Sequence, residues 1–106
     1  MDIQITSRHE KASTSLQETI TDEINKLEKF YDKITSCHVI LDHERGQEIM
    51  EVIVNCAGHT VTATAKEDNM GKVIDEVVSK VERQLKKISE KVKEHKGKKI
   101  EIEPEE

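Results

Sequence analysis

The sequence predicts an α+β fold of order β-α-β-β-β-α, a four-stranded sheet with two helices packed on one of its faces. Three observations predict it. Residues 69–95 place Ile74, Val77, Val81, Leu85, Ile88 and Val92 at intervals of 3, 4, 4, 3 and 4, the spacing of one buried helical face. Residues 37–65 alternate apolar and polar side chains, and two successive hairpins drawn through them agree on a single inward face. A shorter helical repeat precedes them, and a short alternating stretch opens the chain.

In chain order, Asp2–Ser7 alternates Ile3 and Ile5 with polar residues, as a half-buried strand does. A polar turn containing Arg8 and His9 follows. Ser13 or Thr14 can cap the next helix, and Thr14 with Gln17 has capping-box spacing. That helix is expected to run to Asp32, with Leu16, Ile20, Ile24, Leu27 and Tyr31 on one face and Lys26, Lys29 and Lys33 together on its flank.

For the next three strands, a four-residue loop at Glu44-Arg45-Gly46-Gln47 sets Val39 opposite Val52 and Leu41 opposite Met50. A two-residue turn at Ala57-Gly58 sets Val54 opposite Val61 and Val52 opposite Ala63. Both place Cys37, Val39, Leu41, Met50, Val52, Val54, Cys56, Val61, Ala63 and Ala65 inward, and Glu51, Asn55, Thr60, Thr62 and Thr64 outward. A slip of one residue would turn every apolar side chain to water. The first strand can join the second in parallel through the helical crossover.

A chain of 106 residues with 34% apolar content makes one domain, assigned here to residues 1–96, with residues 97–106 a short acidic tail expected to be flexible after a helix stop at Gly97. Phe30 and Tyr31 are the only aromatics, so the core must be aliphatic. The opening residues lack the blocks of a signal peptide and no apolar run approaches a bilayer span, so a cytoplasmic location with reduced Cys37 and Cys56 is expected, and no membrane partner.

Net charge is −5, which by itself argues against a nucleic-acid binder. Its distribution argues the other way. Residues 1–78 carry a balance of −7, residues 79–99 one of +6 and residues 100–106 one of −4. Screening confines a surface field to roughly 8–10 Å in physiological salt, so a basic helix end can meet phosphates while the rest stays anionic. Lys80, Arg83, Lys87 and Lys91 recur at helical spacing on an arc beside the buried one. Glu76, Glu90 and Glu94 intrude on it, at the spacing that pairs them with Lys80, Lys87 or Lys91. The outward threonines read as β propensity, because no aromatic stacking platform accompanies them.

Catalytic chemistry finds little support. Cys37-His38 and Cys56-Ala57-Gly58-His59 supply zinc-ligand types, but no fourth ligand is evident, and inward thiols without an acid partner do not make a nucleophile. Gly-rich phosphate loops, GxSxG and HExxH are absent. The chain reads as a non-enzyme with no cofactor, metal or small-molecule substrate.

Lys26-Leu27-Glu28-Lys29-Phe30-Tyr31-Asp32-Lys33-Ile34, Ala63-Thr64-Ala65-Lys66-Glu67 and Lys80-Val81-Glu82-Arg83-Gln84-Leu85-Lys86-Lys87 resemble segments of the ribosome hibernation promoting factors and ribosome-associated inhibitor A proteins, as does Ile3-Gln4-Ile5-Thr6-Ser7-Arg8-His9. The resemblance covers roughly residues 1–96. It implies the element order above, a fold related to double-stranded RNA-binding domains, and a ribosome inactivator that is a monomer when free. Such a protein binds the small ribosomal subunit, its 16S rRNA and neighbouring ribosomal proteins, near the decoding centre, and occupies the space of messenger RNA and of A- and P-site transfer RNA. The contact residues it implies are Lys26, Lys29 and Lys33 on the first helix and Lys80, Arg83, Lys86, Lys87 and Lys91 on the second. Two departures stand out. Asn69-Met70-Gly71 stands where many members have an Asp-Met-Tyr run, and nothing within these residues resembles the dimerising domain of long members. The alternative function is a generic RNA- or protein-binding regulatory module, for example a transcription modulator.

Overall fold

In a computed structural model, which describes residues 1–9, 11–29, 31, 33–56 and 58–93 (the side chains of 89–93 excepted), two hairpins set the frame. Strand β2 (Ile34–Glu44) pairs antiparallel with β3 (Gln47–Cys56), Val39 facing Val52 and Leu41 facing Met50. Strand β4 (His59–Glu67) pairs with β3, Val61 facing Val54 and Ala63 facing Val52. Both registers are those expected from the alternation. The first connection is tighter than expected, because Glu44 and Gln47 are themselves partners and only Arg45 and Gly46 turn the chain. An extra pair at the strand ends leaves the register unchanged, which is why both closures give the same partners. Arg45 and Gly46 have φ of 51° and 79°, the left-handed backbone of a type I′ turn. An Arg side chain is strained there and Asn is not. Arg45→Asn is therefore expected to raise stability by about 0.5 kcal/mol, seen as a higher urea midpoint at unchanged slope.

Strand β1 (Asp2–Ser7) lies parallel to β2, with Ile3 beside Cys37 and Ile5 beside Val39, so sheet order follows chain order. A bulge at Thr35 shifts the alternation and buries Ile34 in its place. The parallel pair needs a crossover, and α1 (Thr14–Asn25) supplies it. Its cap is Ser13, whose Oγ accepts the Leu16 N–H at 3.1 Å, while the Gln17 amide donates to the Ala12 carbonyl at 2.8 Å and closes no capping box. The helix expected to reach Asp32 ends at Asn25 and tightens into a 3₁₀ turn over Lys26–Lys29. Three residues per turn stack Leu27 directly on Ile24, and both are wholly buried.

Helix α2 (Met70–Lys93) begins after Asn69, whose amide oxygen accepts the Lys72 N–H at 3.2 Å. The carboxylate of the family pattern is thus replaced by an equally good cap. Ile74, Val77, Val81, Leu85 and Ile88 are buried as expected, and Val73, Val78 and Gln84 widen the stripe because α2 packs on β4 and β3 and also touches α1. Every side chain assigned to the inward sheet face is buried with Ile20, Ile24 and Leu27 in one aliphatic core. Burial pushes the Cys37 thiol up to about 12 and raises Cys56 as well, so both are poor nucleophiles. The expected helix end at His95, the side chain of Val92 and the acidic tail of residues 97–106 lie outside the described residues. Among those described, no helix is long and apolar enough to cross a membrane.

Candidate nucleic-acid interface

The topology aligns the two helices. Because α1 carries the chain from the end of β1 back to the start of the parallel β2, it runs against both strands. Helix α2 runs against β4, since Lys80 reaches Thr64 and the later Gln84 reaches the earlier Thr62. Strand β4 is parallel to β1, both lying antiparallel to β3 in direction, so the helices point the same way. The 3₁₀ turn with Lys26 and Lys29 therefore emerges at the end of the sheet toward which the basic half of α2 extends.

Lys80 is held at the sheet edge. Its ammonium donates to the Thr64 carbonyl at 2.8 Å, and the Gln84 amide donates to the Thr62 carbonyl at 3.2 Å. One turn of helix and two residues of strand both span roughly 6 Å, so donors and acceptors match in spacing. The pair satisfies carbonyls on the open edge of β4, where another strand could otherwise add. Sequence reasoning put Lys80 on the wet arc and did not find Gln84, because neither edge carbonyl is visible before the sheet is built. Glu76, expected at pairing distance from Lys80, turns instead to Glu67; its hydrogen bond and then its charge raise the pKa of Glu67.

Lys26 is ion-paired with Glu23 at 2.9 Å, and this hydrogen bond holds its pKa above the ordinary lysine value, with further contributions from the charges of Glu23, Asp22 and Asp75. Asp75 belongs to α2, so a carboxylate of the second helix lies within electrostatic reach of Lys26. At about 100° per residue, Asp75 and Glu82 share the flank of α2 toward α1, while Lys80 and Lys87 share the flank over the β4 edge. Arg83 and Lys86 stand on the crown between, both exposed, and the Arg83 Nε donates to the Ser79 carbonyl at 3.5 Å. Lys87 is half-buried. Lys29 and Lys33 are exposed, with no ion-pair partner among the described residues. Lys91 lies on the helix, with its side chain outside the described set. Cations carried at turn spacing on a helix whose other face is locked in a core can bind phosphates. The group includes no nucleophile or paired acid and base.

The family model described as "Sigma 54 modulation protein / S30EA ribosomal protein" matches residues 3–93. The chain belongs to this family. Among S30EA relatives, the ribosome hibernation promoting factor of Pseudomonas putida is 32% identical over 91 residues, covering 86% of this chain and 89% of that protein. The Escherichia coli K12 protein of the same name is 30% identical over 95 residues, covering 90% of this chain and all of its own length, 100%. A solved ribosomal subunit interface protein from Coxiella burnetii is similar with a TM-score of 0.80 and 29% identity, over 85% of this chain and 99% of that one. The S30EA assignment agrees with the α+β order found here.

Sequence reasoning placed Arg8 and His9 in a polar turn and gave no role to them or to Lys11 and His43. The parallel pairing of Ser7 with Leu41 brings the segment after β1 beside the end of β2, and these side chains gather there around Asp42. The Asp42 carboxyl is held below its ordinary value, first by the His43 backbone N–H and then by His9 and Arg8 against the opposing effect of burial.

Proposed function

We propose that this protein is a ribosome hibernation factor of the cytoplasm, which as a monomer binds the small ribosomal subunit near the decoding centre and excludes messenger RNA and A- and P-site transfer RNA during stress or stationary phase. The observation that carries the reading is the exposed crown of α2, where Arg83 and Lys86 stand clear of a core that fixes Val81 and Leu85 beneath them. An otherwise acidic chain concentrates its positive charge there. The relatives' names point to the ribosome.

The role needs no catalysis. Each cation that meets a phosphate releases a condensed counterion, so affinity falls with salt and depends little on base sequence. Structured ribosomal RNA presents shaped phosphate walls, and a rigid domain reads that shape. Lys29, Lys33, Arg83, Lys86, Lys87 and Lys91 are the contacts expected to release counterions; Lys26 and Lys80 contribute through their field while anchored to Glu23 and Thr64.

Co-sedimentation with small subunits at rising salt tests this. Binding is expected at low salt, with a log–log slope of roughly −3 to −5 for about four to six phosphate contacts. Absence of binding at low salt would overturn the proposal. Equal competition by free duplex RNA would favour a general RNA-binding module instead.

A further inference from the structure

At the opposite end of the helices from Arg83 lies a cleft of about 930 Å³, within the usual range of small-molecule sites. One helix position rises about 1.5 Å, which puts the cleft roughly 20 Å from the α2 crown and makes it a separate site. Its floor is apolar, built from Leu16 of α1, Leu41 of β2 and Met70 of α2. Its rim carries both signs of charge: Arg8 and Lys11 on the segment after β1, and Glu48 on β3.

The rim is held in place before any ligand arrives. The Arg8 backbone N–H donates to the Leu41 carbonyl at 3.0 Å, continuing the β1–β2 pairing one step past the strand. Asp42 lies 3.7 Å from the Arg8 guanidinium, bonds the His9 Nε2 at 2.7 Å and accepts the His43 N–H at 2.8 Å. Its charge is thereby committed within the protein. Lys11, the His43 ring nitrogens and the Glu48 carboxylate have no hydrogen-bond or ion-pair partner among the described residues. The His9 and His43 rings meet edge to face, 6.2 Å apart at 84°, which stands them up as a wall beside the floor.

A simple anion would use the cations and leave the apolar floor wet beside an unpartnered carboxylate. A flat body with one anionic end and N–H donors on its far edge satisfies all three features. We propose that this cleft binds a single nucleotide, with the phosphate at Arg8 and Lys11, the base over Leu16 and Met70, and its edge toward Glu48. The nucleotide comes either from an unstacked residue of RNA or from a free nucleoside monophosphate. Bases splayed from folded RNA are gripped by a surface against one face together with hydrogen bonds to their edges; here Leu16 and Met70 supply the surface and Glu48 the edge partner. The inference rests on the ribosome-binding reading only for the RNA source.

The test is a methyl NMR titration of the full chain, following Leu16 and Met70 with guanosine monophosphate, a short single-stranded RNA and inorganic phosphate in separate arms. Saturable shifts are expected with the nucleotide or the RNA and not with phosphate. Lys11→Ala and His43→Ala, both at exposed positions, should each weaken binding about tenfold without changing the melting temperature. Shifts with RNA alone assign the RNA source; equal affinity for the mononucleotide assigns the free one. Unmoved methyls in both nucleotide arms, or shifts that phosphate alone reproduces, would overturn the inference. Retained co-sedimentation with small subunits in that case would show that it fails alone.

Discussion

Replacing Arg83 and Lys87 together by Glu is expected to abolish binding to the small subunit while leaving the fold intact. Arg83 is exposed on the crown and Lys87 is half-buried on the flank over the sheet edge, so neither supplies the apolar core. The substitution removes two of the proposed phosphate contacts and puts repulsion in their place. A loss of at least about a hundredfold in affinity near 0.1 M salt is expected. New like-charge pairs along the helix cost only a few tenths of a kcal/mol. Co-sedimentation reads the first effect and thermal melting by circular dichroism the second. Collapse of the melting transition would mean that these side chains support the core.

Leu85→Ala, two residues from Arg83, should behave in the opposite way. Leu85 is wholly buried beneath the crown, and deleting its branch leaves a cavity in an aliphatic core that no large aromatic ring can refill. A loss of about 3 kcal/mol is expected, lowering the melting temperature by roughly 15 °C. At temperatures where the variant remains folded its affinity should stay within about twofold of the parent, because the surface cations are unchanged. The two substitutions together separate holding the helix in place from what its outer side does. A crown that binds through induced folding would instead lose affinity with Leu85.

The sheet was legible because a strand's period of two leaves one register that buries Val39, Val52, Val54 and Val61 together. Boundaries were less so. A helix of 3.6 residues per turn and one of three both leave Leu27 on the side of Ile24, so the 3₁₀ ending leaves no trace in the apolar pattern. Turn length at Arg45-Gly46 was hidden for a related reason, since two closures share one register. At the candidate interface, charge patterning put Arg83 and Lys87 on the wet side of the helix, and Lys86 came only from the family resemblance; patterning could not see that Lys80 would bend to a strand carbonyl, nor that Asp75 and not a lysine would lie on the flank toward the first helix. Those are properties of the assembled layers. The cleft was least visible, because its floor comes from residues 16, 41 and 70, brought together only by the parallel strand pair and the shared direction of the helices.

The measurement closest to the centre of these claims is a cryo-EM structure of the protein on its own small subunit, resolved to side chains. Arg83 and Lys86 are expected with their nitrogens about 3 Å from phosphate oxygens of the ribosomal RNA. A complex in which the crown of α2 faces solvent, with the RNA meeting the open side of the sheet, would contradict them.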